Sequence, residues 1–124
     1  MSLLLDTHVV LWWLTDDANL SEEMKSRLDG DPDVWVSAAT VWEIAIKQSI
    51  GKILEPAHLP ETVANSGFRQ LPISFDHVVA AGRLPAVHRD PFDRMLVAQA
   101  RSEGLSLVTR DPQIQRYDVA VLAV

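Results

Sequence analysis

DPFDRMLVAQARSEGLSLVTRD, residues 90–111, is the stretch whose reading decides the fold. Asp90 stands where a helix N-cap is wanted, Pro91 at the first helical position, and Asp93 near the positive end of the helix dipole. Met95-Leu96-Val97-Ala98 opens an amphipathic run, which predicts a helix from Pro91 or Phe92 to about Glu103, closed by Gly104. Ser106-Leu107-Val108 is short and apolar, the signature of a strand buried on both faces, and Asp111 follows it. A helix feeding a buried strand that ends on an acid is half of a parallel α/β unit.

The same grammar extends outward. Leu3 to Leu5 reads as a buried strand closed by Asp6, and His8 to Leu14 as a buried helix with Val9, Trp12 and Trp13 at helical spacing. Ser21-Glu22-Glu23 starts a helix with Met24 and Leu28 inward, stopped by Gly30-Asp31-Pro32; Val34 to Ser37 is the second strand. Thr40-Val41-Trp42-Glu43 fits a capping box, with Val41, Ile44 and Ala45 facing inward and Gly51 ending the helix. Pro60 to Ser66 predicts another helix ended by Gly67, and Gln70 to Ile73 a strand. Ser74 or Asp76 caps a helix through Val78, Val79 and Gly82, and Val119 to Leu122 is the last strand. Alternating strands and helices predict an α/β fold, with a central parallel sheet of about five strands covered on both faces. Residues 1–124 fit a single domain.

A hydrophobic content of 48% supports a core, and 23% charged residues argue against disorder. The absence of cysteine excludes disulfides and thiolate zinc sites and suits a reducing, cytoplasmic setting. No signal peptide or membrane span is legible. The net charge of −6 argues against a protein that coats nucleic acid, but not against an enzyme that meets phosphate through a metal. The four histidines lack zinc-binding spacing, and no phosphate-binding glycine loop or Gly-x-Ser-x-Gly elbow occurs. His8 reads as a buried structural residue.

Asp6, Glu43, Asp93 and Asp111 then carry the functional argument. Each alone is explained by helix capping. Jointly they fall where strands end and helices begin, the one edge of a parallel sheet where ligands bind. Crowded carboxylates repel and raise one another's pKa, and the usual remedy is a hard divalent cation with oxygen ligands. Arg94, Arg110 or Lys47 is the alternative compensation for Asp6. The residues therefore predict a metal-dependent enzyme acting on phosphate esters, with Arg94, Arg110 and, on the adjoining loop, His88 and Arg89 as candidate groups to hold the anionic substrate.

In order, Leu4-Leu5-Asp6-Thr7-His8, Ala39-Thr40-Val41-Trp42-Glu43-Ile44, Asp90-Pro91-Phe92-Asp93-Arg94-Met95-Leu96-Val97-Ala98-Gln99-Ala100 and Val108-Thr109-Arg110-Asp111 resemble the PIN-domain family, and more narrowly its VapC-type toxins. The resemblance implies a three-layer α/β/α sandwich and an endoribonuclease site using Mg²⁺ or Mn²⁺. It places the four site acids, as catalytic residues and metal ligands, at Asp6, Glu43, Asp93 and Asp111. It makes Thr7 and Thr109 supporting hydroxyls and Asp90 an extra acid that serves mainly as the helix cap. It further implies an RNA substrate, with transfer RNA the family expectation, and products with 5′-phosphate and 3′-hydroxyl ends. A cognate antitoxin with a basic segment and a homodimer complete the implied partners. Two rival readings are a non-catalytic acidic groove for a basic partner and a phosphoryl-transfer α/β domain.

Overall fold

A computed structural model describes residues 1–52 and 58–124. Five strands form one sheet: β1 (Leu3–Leu5), β2 (Val34–Ser37), β3 (Arg69–Leu71), β4 (Ser106–Thr109) and β5 (Val121–Ala123). All pairings are parallel, in the spatial order β3-β2-β1-β4-β5. Between them run α1 (Thr7–Leu14), α2 (Glu22–Gly30), α3 (Ala38–Ser49), α4 (Leu59–Ala64), α5 (Phe75–Gly82) and α6 (Pro91–Glu103), with a short 3₁₀ turn at Ile114–Arg116.

Strand alternation splits the core into two layers. Leu3, Leu5, Val34, Val36 and Val108 face one side, packed with Val9, Val10, Leu28, Ile44 and Val63 from α1 to α4. Leu4 and Leu107 face the other, packed with Leu96, Val97 and Ala100 of α6 and with Ile114 and Tyr117. The three-layer α/β/α expectation is thus met. Among the described residues, no helix is long and apolar enough to cross a membrane.

Local chemistry sets the helix ends. Ser21 accepts from the Met24 N–H, and Ser74 and His77 form a reciprocal capping box. Gly104 closes α6 in the left-handed region, at φ 67°. The capping box expected at Thr40 is corrected: the N-cap is Ser37, three residues earlier, its hydroxyl accepting from the Ala39 N–H. That shift carries Thr40 and Glu43 inside the helix and turns both into the protein, whereas Ala45 is exposed. The third and fifth strands are short edge strands, displaced by a residue or two from expectation.

Candidate active site

The chain leaves β1 to build β2 and β3 on one side of it, then returns to build β4 and β5 on the other. The crevice beyond the C-terminal ends of β1 and β4 is therefore the topological switch point, the place where such sheets bind ligands. Asp6 follows β1 and Thr109 ends β4.

Asp6 occupies the N-cap position of α1, yet its side chain makes no capping hydrogen bond. Its carboxylate is buried and accepts from the Thr109 hydroxyl at 2.7 Å. The Thr109 oxygen in turn accepts from the Asp111 N–H at 3.0 Å, so one hydroxyl ties the first acid to the loop carrying the fourth. Burial pushes the Asp6 carboxyl above its ordinary range, against the Thr109 bond and the charge of His8; Asp111 adds to the rise.

Glu43 is buried on α3. Its Oε1 accepts from the Thr7 hydroxyl at 2.8 Å, and its Oε2 pairs with Lys47 one turn along at 2.8 Å. Thr40 Oγ1 lies 3.2 Å from Thr7 Oγ1, joining α1 to α3 beneath the acid. Lys47 thus compensates Glu43 and not Asp6. The described salt bridges give Asp6 no lysine or arginine partner.

Asp93 lies one turn into α6. Its pKa is pushed up to about 7, first by burial, then by the charges of Asp90 and Asp6; His88 lowers it, and Glu43 adds the smallest rise. Those couplings place the acids of three separate segments in one field. Asp111 sits at the rim, half-buried, its Oδ1 accepting from the Gln113 N–H. Asp90 does what its sequence position implied: its Oδ1 caps α6 by accepting from the Phe92 N–H at 2.9 Å.

His88 is the residue that sequence reading left out of the acid constellation. Its Nε2 lies 2.9 Å from Asp93 Oδ2 and 3.3 Å from Asp111 Oδ2. The backbone N–H of Asp90 donates to Nδ1, which leaves the proton on Nε2, facing the two carboxylates. Ligand atoms of His88, Asp93 and Asp111 lie within 4.8 Å of one another, and Nε2 would have to lose its proton to join the two carboxylates on an ion. The donor set, chiefly carboxylate oxygens with an excess of negative charge, fits a hard divalent cation. The loop position of His88, three residues before a helix, carried no periodic signal that marks a site.

The arginines divide. Arg94 is turned away from the acids: its Nη1 donates to the carbonyls of Pro85 and His88 and to the Tyr117 hydroxyl, and its Nη2 to the carbonyls of Ala81 and Leu84. This corrects the expectation that it holds phosphate; it staples the α5–α6 loop. Arg110 stacks on Trp12 at 4.6 Å and donates to Val124 and Asn19, so most of its fork is likewise engaged. Arg89 is exposed and lines the groove beside Glu43 and Asp90. His8 is exposed too, its ring 6.0 Å from that of Trp12, because it falls on the outer face of α1.

An all-parallel α/β sandwich with buried acids gathered at its switch point defines a class of proteins that organise a divalent cation. The chain belongs to the PIN-domain family, which matches residues 3–120. It is 26% identical over 123 residues to ribonuclease VapC22 of Mycobacterium tuberculosis, covering 94% of this chain and 92% of the relative. Its fold is similar to that in a DNA-bound VapBC from Salmonella typhimurium, with a TM-score of 0.78, 19% identity, and 99% and 98% of the two chains covered. FitAcB from Neisseria gonorrhoeae gives a TM-score of 0.70 at 22% identity, over 97% of this chain and 96% of the other.

Proposed function

We propose that this chain is an endoribonuclease that hydrolyses RNA phosphodiester bonds with Mg²⁺ or Mn²⁺, and that it is the toxin of a toxin–antitoxin pair. One observation carries the reading. Carboxylates from separate segments are gathered at the switch point, Asp6 and Glu43 buried and Asp93 half-buried, and neither a lysine nor an arginine pairs with Asp6 or Asp93 among the described residues. Kinship with a ribonuclease and fold likeness to VapBC complexes support the same conclusion.

Asp6 and Asp93 would be the principal ligands, with Asp111 and Glu43 completing the negative pocket. A bound divalent cation supplies charge neutralisation of the scissile phosphate and acidifies an attacking water. The chain's own groups prepare that arrangement. Thr109 fixes the rotamer of Asp6 and anchors the Asp111 loop; Thr7 and Lys47 hold Glu43 from either side. Asp93, its carboxyl pushed up to about 7 by burial and by Asp90, would hold a cation in its ionised form. His88 Nε2–H spans the rim acids and orients them.

An acidic mouth also suits a basic antitoxin segment, which would compete with the cation and with RNA for the same carboxylates. Phe75, 91% exposed, with Val78 and Val79 on the same α5 surface, supports burial of that face in a homodimer.

The test is cleavage of total cellular RNA by the purified, partner-free chain with Mg²⁺ or Mn²⁺, with EDTA and Asp93→Asn as controls. Discrete fragments, absent from both controls and bearing 5′-phosphate and 3′-hydroxyl ends, are expected. A 2′,3′-cyclic phosphate would overturn attack by water, and fragments that persist in EDTA would overturn the cation's role.

A further inference from the structure

Trp42, exposed, and Phe92, half-buried, form an aromatic pair on the helices that carry Glu43 and Asp93. Phe92 lies at the end of the groove beside the acids, and Trp42 on the ridge between that groove and an apolar cleft lined by Val41 and Phe68. The Trp42 and Phe92 rings meet edge to face, with centroids 5.2 Å apart and planes at 71°. Trp42 is 60% exposed, so packing on Phe92 buries less than half of it and returns little of what a tryptophan contributes when enclosed. Each ring is also the immediate chain neighbour of a site acid, Trp42 before Glu43 on α3 and Phe92 before Asp93 on α6. The two helices that aim the carboxylates therefore also set the rings.

A groove of about 400 Å³ runs from Phe92 past Glu43 and Asp90, and Lys47, Lys52 and Arg89 line it. Three cations along one groove are a marked concentration in a chain of net charge −6. Lys47 holds Glu43, whereas Lys52 and Arg89 pair with no carboxylate among the described residues. A carboxylate cluster repels a phosphate backbone, so a strand reaching it needs cations along its approach and contacts that do not depend on charge. Base stacking on an aromatic face is such a contact.

We propose that Trp42, braced by Phe92, is the platform on which a base next to the scissile phosphate stacks, and that Arg89 and Lys52 hold the phosphates leading away from it. The inference rests on the ribonuclease reading and adds a positioning residue to it: the segment at the site must be unpaired for this contact, since bases inside a duplex are not free to stack on a side chain. Every base has a π-face, so the platform orients the strand without selecting a base.

The test uses a fluorescently labelled random pool of RNA about 12 nucleotides long, bound to Asp6→Asn protein in EDTA and followed by anisotropy. Adding Trp42→Ala should weaken binding roughly 5- to 150-fold, the range that corresponds to about 1–3 kcal/mol per stacked base. Trp42→Phe, which keeps a ring, should restore binding to within about threefold. In the active background, Trp42→Ala should raise KM for a fragment that the wild type cuts while kcat changes less than about twofold, the pattern of lost ground-state binding. Affinity for Mn²⁺ should be unchanged. Binding of the pool by Trp42→Ala as tight as that of its parent overturns the proposal, as does a parallel loss of Mn²⁺ affinity, which would report a damaged site. Unchanged RNA binding with a weakened antitoxin complex would make the face a protein-docking surface instead. Trp42-dependent binding by a wild type that cuts no RNA would support the platform and sink the ribonuclease reading.

Discussion

Asp93 should make cation binding depend on pH where ordinary carboxylates do not. Its pKa of about 7 means that a cation arriving near neutrality must displace a proton. Lowering the pH from about 8 to about 6 should then weaken the apparent affinity for Mn²⁺ roughly tenfold, against almost no change for a carboxylate with its usual pKa. Calorimetry in buffers of different ionisation enthalpy reads the same event as protons, about 0.9 released per ion at pH 6 and about 0.1 at pH 8. Asp93→Asn should abolish that release. Asp90→Asn is the sharper perturbation, because asparagine caps a helix as well as aspartate does but carries no charge. Asp90 is the largest charged contributor to the rise at Asp93, so this variant should move the transition to lower pH. Linkage sets the sign for stability. The folded pKa lies above the ordinary 3.8, so the folded chain binds the proton more tightly, and that stabilisation is lost as pH rises through about 7. The ion-free protein should be less stable at pH 8 than at pH 6 by about 1 kcal/mol from this group, after allowance for its partial solvent access. Thermal melts in EDTA check it, and Mn²⁺ should reverse the order. Release of less than about 0.2 proton per ion at pH 6, with wild type and Asp90→Asn indistinguishable, would refute the reasoning.

Thr109→Val removes the hydroxyl that joins Asp6 to the Asp111 loop, and should cost about 1–3 kcal/mol in denaturant melts as well as cleavage. Thr109→Ser should recover most of the activity; a fully active Thr109→Val would remove that hydroxyl from the site. Arg94→Met should lower stability by about 2–4 kcal/mol, because it strands loop carbonyls that the guanidinium now satisfies. Its Kd for RNA should change little in the fraction that stays folded, whereas a stable variant with weakened RNA binding would restore Arg94 as a phosphate ligand.

The β1-to-α1 and α6-to-β4 segments were legible because burial on both faces leaves continuous apolar runs, and because Asp90, Pro91 and Gly104 each act within one turn of chain. Local chemistry also misled. Thr40 and Glu43 have the residue types of a capping box, and only Ser37 at the strand end, claiming the first free N–H, moved the helix start and turned both inward. Arg94 has the residue type for phosphate, but the α5–α6 loop folds its carbonyls over the guanidinium.

By itself, then, the sequence determined the layered parallel fold, the ends of most helices and the positions of the four acids, since these follow from periodicity and from the reach of a side chain to its own backbone. Only the tertiary structure decided that Asp6 does not cap its helix and stands, among the described residues, without a lysine or arginine partner. It alone brought His88 between Asp93 and Asp111, paired Lys47 with Glu43 and left Trp42 in the open. Those outcomes depend on distances between residues far apart in the chain, and on competition among neighbours for the same charge and hydrogen bonds, which no local pattern of residue types encodes.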